Sequence, residues 1–153
     1  MSRLEAHGLA VDLVRGWEAE IGVRTLPATK PGARAERAQP VLHAANFALP
    51  VQRGEFGAGA VELMRAGHSF LALVEFGPEA AGSPLFEHPR PAGLRAADFA
   101  PEHLQITLTG QAGCQRFFTN GGRAFCLYAV VTTSLLVARV DQVWSTVSIT
   151  PGG

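Results

Sequence analysis

The sequence predicts an α+β fold: a mostly antiparallel β-sheet with flanking helices. Three observations carry this. Residues 9–23 alternate around a short Gly-containing break with the period of a strand, and 41–49 place Val41, His43, Ala45, Phe47 and Leu49 on one strand face. Asn120-Gly121-Gly122 separates two apolar stretches, the pattern of a tight hairpin. Residues 136–147 instead place their apolar side chains at helical spacing. The chain has 153 residues, 47% of them apolar and 17% charged, which suits one globular domain spanning 1–153.

The elements follow in order. Leu9, Val11 and Leu13 share one face of a first strand, and Trp17, Ala19, Ile21 and Val23 share one face of a second. With Arg15-Gly16 between them, the two read as a β-hairpin, and Trp17 as a core anchor whose indole N–H needs a buried partner. Residues 26–40 carry Pro27, Lys30, Pro31, Gly32 and Pro40 and read as a long solvated loop. A strand follows from Val41 to Leu49, with Val41, His43, Ala45, Phe47 and Leu49 on one face and Pro50 at its end.

Residues 57–66 suit a short helix closed by Gly67. The near-continuous apolar run Ser69–Phe76 reads as a central strand covered on both faces, which calls for helices on at least one side. Residues 77–103 form a second long loop rich in Pro and Gly, with Phe86, Leu94 and Phe99 able to pin it down. A short helical turn fits within 98–104. Two strands then flank the Asn-Gly turn. Cys114 and Cys126 lie six residues either side of Asn120, near enough for contact, but the register decides whether they meet. Ser134 is placed to cap the last helix, which presents Leu136, Val140, Val143, Trp144 and Val147 to the core.

Two parts of the sequence carry a resemblance. Gly8-Leu9-Ala10-Val11-Asp12-Leu13-Val14-Arg15-Gly16-Trp17 resembles the opening strand and turn of the PsbP-like superfold, with Val14 where that motif has proline. The superfold includes the LpqN-type proteins of high-GC Gram-positive bacteria and a Ran-binding nuclear transport factor. Residues 43–50, 110–113 and 117–128 are similar to an uncharacterised group of small proteins from the same bacteria. The resemblance implies an α+β fold and a binding or accessory role. It implies no catalytic residues.

Searching for chemistry gives little. Gly67-His68-Ser69-Phe70-Leu71 lacks the glycine that a nucleophile elbow needs two residues after its serine. The five histidines are unpaired at ligand spacing, so no metal is expected. Neither cysteine has a histidine close by in sequence. The glycines of 54–59 form no phosphate-binding motif, and helix entry accounts for them. No cofactor is expected. Thirteen basic residues balance thirteen acidic ones, so no field gathers nucleic acid or an anionic membrane. No apolar run approaches the length of a membrane span. The start lacks a basic-then-apolar leader, so a cytoplasmic location is expected.

The reading that remains is a non-catalytic accessory or adaptor domain that binds another protein. Its contacts are placed on the 77–103 loop, at Phe86, Glu87, His88, Arg90, Leu94, Glu102 and His103. Excision of 80–93 is then expected to leave the fold intact and abolish the interaction. Two alternatives stand beside it. A small hydrolase would need two of Glu87, His88, Glu102 and His103 to converge in one pocket. A small-molecule carrier would need a cavity lined by Trp144, Phe47 and Leu73. The partner's identity and the oligomeric state are not legible.

Overall fold

The computed structural model describes residues 2–24 and 39–152. The chain forms two antiparallel sheets and one α-helix among these residues. Strands β1 (Ser2–Ala6), β2 (Leu9–Leu13) and a short C-terminal β8 (Ser148–Ile149) make a small sheet in the order β1-β2-β8. Strands β3 (Glu18–Arg24), β4 (Gln39–Ala45), β5 (Ser69–Phe76), β6 (Ala112–Asn120) and β7 (Arg123–Val131) make the larger one, in the order β3-β4-β5-β7-β6. The helix, α1, spans Val137–Thr146.

The expected 9–23 hairpin is corrected. β2 pairs along its length with β1 and, at Leu9 and Ala10, with β8 on its other edge, while β3 pairs with β4. The chain turns at Val14–Trp17, where Trp17 N–H donates to Val14 O at 2.9 Å, and crosses into the larger sheet. β1 is only five residues long, with Leu4 and Ala6 alone turned away from solvent. It is paired through a two-residue turn, His7-Gly8, with φ values of 53° and 77°. Positive φ at both positions matches the twist of the strands. Trp17 is half-buried at the rim of the core instead of anchoring it.

Most of the predicted 26–40 loop falls outside the described residues. Gln39 and Pro40, at its end, already belong to β4. β5 lies at the centre of the larger sheet, with Phe70, Leu71, Ala72 and Leu73 inaccessible to solvent. One face of the sheet packs Leu42, Leu71, Leu73, Phe125, Leu127 and Phe118 against α1 and β2. Val137, Val140, Val143 and Trp144 supply the helix side of that contact. Each such buried side chain contributes about 1.5–3 kcal/mol, which is how a helix of only ten residues holds.

Among the described residues, no α-helix covers the other face. Val41, Ala45, Phe70, Val74, Tyr128 and Val130 are covered by Phe47, Phe56, Val61, Leu104 and Leu108 from irregular segments. The helix expected at 57–66 is only a 3-10 turn at Val61–Leu63. Gly57 and Gly59 adopt φ of 89° and 94°, which no helix accommodates. A side chain on Gly57 would also meet the ring of Phe70 at 2.6 Å. Among the described residues, the expected flanking helices therefore reduce to α1 on a single face.

The hairpin of β6 and β7 forms as its turn residues require. Asn120 pairs with Arg123, and Gly121 and Gly122 take φ of 58° and 80°. That register places Cys114 opposite Ala129 and Cys126 opposite Phe117. The two thiols therefore point to opposite faces, and both are free and buried. The expected Ser134 cap is corrected: Ser134 opens a 3-10 turn, Ser134–Leu136, whose cap is Thr133, its hydroxyl accepting from Leu135 N–H, and α1 follows with no side-chain cap.

Candidate functional site

The 77–103 segment is built, not structureless. It carries 3-10 turns at Pro78–Ala80, Pro84–Phe86 and Ala96–Asp98, and a further turn at Pro101–His103 follows. Proline opens three of the four, where its missing N–H and fixed φ suit the first position of a turn. The segment wraps the outer edge of β6, the last strand of the larger sheet.

Along that edge the backbone groups of residues 113, 115, 117 and 119 face outward, since the alternate residues pair with β7. Gly113 exchanges two bonds with Ala100, at 2.9 and 3.0 Å. Thr119 N–H donates to His88 O at 3.1 Å, and its hydroxyl donates to Phe86 O at 2.8 Å. Between these two ties, no described residue bonds the main-chain N–H or C=O of Gln115 or Phe117. The edge is covered at both ends and open in the middle.

A hollow of about 680 Å³ lies on one side of this opening, bounded by Asp98, Glu102, His103 and Gln105. Another of about 510 Å³ lies on the other side, bounded by Leu85, His88, Arg90 and Pro91. Both share Gln115, Arg116 and Phe117 as their common wall. The first is held in shape by Gln105, whose N–H donates to Tyr128 Oη at 2.8 Å and whose side-chain amide donates to Gln115 Oε1 at 2.8 Å. Arg116 is 45% exposed, with Nη2 3.5 Å from Asp98 Oδ1.

The predicted contact residues divide. His88 borders one hollow, and Glu102 and His103 border the other, all exposed. Glu87 is exposed and borders neither. Phe86 and Leu94 are buried, at 5% and 4% exposure. Phe86 packs edge-on to Phe117 at 5.4 Å, and Leu94 joins the core beside α1. Arg90 lies 4.2 Å over the Trp144 ring and donates to Val147 O at 2.6 Å, near the C-terminal end of α1. Its burial lowers the guanidinium from its usual value. These three side chains are engaged by the fold itself. Excision of 80–93 would remove Phe86 and Arg90 together with the Pro91 carbonyl that accepts from the Trp144 indole at 2.9 Å. These contacts argue against the expectation that such an excision leaves the fold intact.

Of the groups a hydrolase would use, Glu102 and His103 border one hollow, both exposed, while His88 borders the other across Arg116 and Glu87 borders neither. The carrier residues do not share a cavity. Trp144 and Leu73 fill one core, whereas Phe47 packs on the opposite face of the sheet. Ser69 is fully buried at the start of β5. Among the described residues, no three His, Cys, Asp or Glu side chains gather closely enough to hold a metal ion.

One histidine on the predicted face of the 41–49 strand proves buried. His43 is 5% exposed, and burial, reinforced by Arg53 and opposed by Glu20, lowers its pKa to about 4. Such a shift often marks acid–base chemistry. Here both ring nitrogens are in use. Arg53 Nε can only donate, so Nδ1 accepts from it at 2.9 Å, and Nε2–H donates to Glu55 O at 2.7 Å. The ring pins the 50–57 segment to β4.

The open stretch of β6 was missed in the sequence. Gln115-Arg116-Phe117 reads only as part of a hairpin strand, and edge position is a property of strand order. Among the described residues, no helix is long and apolar enough to cross a membrane. Comparison with known proteins finds no matching family model, no matching curated protein and no matching solved structure.

Proposed function

We propose that this protein is a non-catalytic binding module and that its partner is another protein, held in the groove along the outer edge of β6. The observation that carries this reading is the open stretch at Gln115 and Phe117, framed by two hollows and tied off at Gly113 and Thr119. An unpaired edge is a ready template for a second chain, and proteins normally cover or blunt such edges. Here the covering segment stops short on both sides. The PsbP-like fold stays part of the proposal, supported by residues 8–17, where Gly8 and Gly16 both take positive φ at turns.

Site-directed photocrosslinking in living cells tests the reading. A photoreactive residue is placed in turn at Gln105, at Arg95, whose N–H donates to Asp98 in the groove wall, and at Leu135, which is 87% exposed near the start of α1. We expect a defined protein adduct from Gln105 and Arg95 and none of the same mass from Leu135. Identical patterns from all three positions, or no adduct at all, would overturn it.

A further inference from the structure

Resting on that reading, we infer that the groove takes an extended peptide segment that adds to β6 antiparallel and places an acidic side chain opposite Arg116. The register follows from the ladder. Gln115 and Phe117 are the two outward-facing residues without a partner among the described residues, so an added strand makes its paired bonds there. Three residues of the incoming chain fill this window. The first faces Phe117, the second Arg116 and the third Gln115. Backbone from Ala100 and His88 closes the edge on either side, so the segment has to leave the sheet at both ends. The two hollows are where the departing chain goes.

The chemistry of the three positions is set by what they meet. Phe117 lies half-buried between Phe76 and Phe86, so it favours an apolar neighbour. Gln115 is already bonded to Gln105 and favours a polar one. The middle position is a pair without main-chain bonds, the closer kind, with side chains on the same face about 4.5–5.5 Å apart at Cβ. Arg116 is there, exposed and held by Asp98 only at 3.5 Å. A carboxylate is the complement, and the ordered triplet is apolar, acidic, polar.

A second copy of this chain does not fit the same window. Two β6 edges paired antiparallel across Gln115–Phe117 would set Arg116 opposite its own copy, and like charges directly opposed are destabilising.

The test uses the unaltered full chain and capped seven-residue peptides. One carries valine, glutamate and threonine at its three central positions. A second has lysine for the glutamate, and a third is N-methylated at the two central amides that would pair. Amide chemical shifts and fluorescence anisotropy report binding. We expect the glutamate peptide to shift the Gln115 and Phe117 amides, the lysine peptide to bind about tenfold more weakly, and the N-methylated one not to bind. Arg116→Glu should reverse the preference between glutamate and lysine. Equal affinity for the two charged peptides overturns the inference, as does absence of binding at millimolar peptide. So does a concentration-dependent dimer whose Gln115 and Phe117 amides become protected, since a second copy would then be the occupant. The charged-peptide comparison needs no variant, so it holds even if Arg116→Glu fails to fold. Groove crosslinks to a partner without glutamate preference would sink this inference and leave the binding reading standing.

Discussion

Arg123 and Glu75 form a forked ion pair between neighbouring strands of the larger sheet: Nε reaches one carboxylate oxygen at 2.9 Å and Nη2 the other at 2.6 Å. The same guanidinium donates to the carbonyls of His7, Gly8 and Thr150. It thereby fastens both the β1–β2 turn and the chain after β8 to the β5–β7 pair. All five donors of an arginine suit this task, and a lysine would supply three from a single point.

Both partners are nearly buried, with side chains 12% and 11% exposed. Removing one leaves the other charge uncompensated. Arg123→Met should therefore cost about 3–5 kcal/mol in urea unfolding. A loss below about 1 kcal/mol would show that water already solvates the pair.

Acid should weaken the fold through His43. The unfolded imidazole takes up its proton near 6.5, the folded one near 4. Between these values the unfolded chain binds more protons, so stability rises with pH. The contribution is complete above about 6.5 and is lost as pH falls toward 4, by roughly 3 kcal/mol. Urea melts across pH 4–7 should show this slope, and His43→Gln should flatten it. An unchanged slope in the variant would assign the acid sensitivity to other groups.

The wrap over β6 should prove structural as well as functional. Arg90 stacks on Trp144 and reaches the carbonyls of Trp144 and Val147, while the indole reaches Pro91 O. Arg90→Ala should lower stability by about 1–2 kcal/mol through the lost carbonyl bonds and stacking. Excision of 80–93 should abolish the cooperative unfolding transition followed by tryptophan fluorescence. A cooperative melt in the excised chain would mean that the segment only rests on the core.

The two thiols should be inert in the folded state. Burial raises Cys114, and burial with the nearby Cys114 pushes Cys126 up to about 12. Both are inaccessible, at 1% and 0% exposure. A thiol reagent such as Ellman's at pH 8 should label neither in native protein and both in denaturant. Rapid labelling of one without denaturant would reveal local opening of the β6–β7 hairpin.

Some of this architecture is local and could be read from the chain. The turn at Gly121-Gly122 needs positive φ at two successive residues, and few other sequences supply it. The apolar run of β5 demands cover on both faces, and the stripe from Val137 to Val147 demands a core beneath it. These features depend on neighbours within a few residues, so periodicity finds them.

What only the tertiary structure decided involves residues far apart. β2 pairs with β1 and, at Leu9 and Ala10, with the segment after α1, while β3 pairs with β4. Arg123 meets His7 and Thr150, and Arg90 meets Val147, through contacts that no local pattern encodes. The open stretch of β6 belongs to the same class. Whether a strand's outer edge is paired depends on where its neighbours end, and the ties at Ala100 and His88 stop on either side of Gln115 and Phe117. Local pattern alone determined the central strand, the β6–β7 hairpin and the last helix; long-range pairing determined which edge was left open.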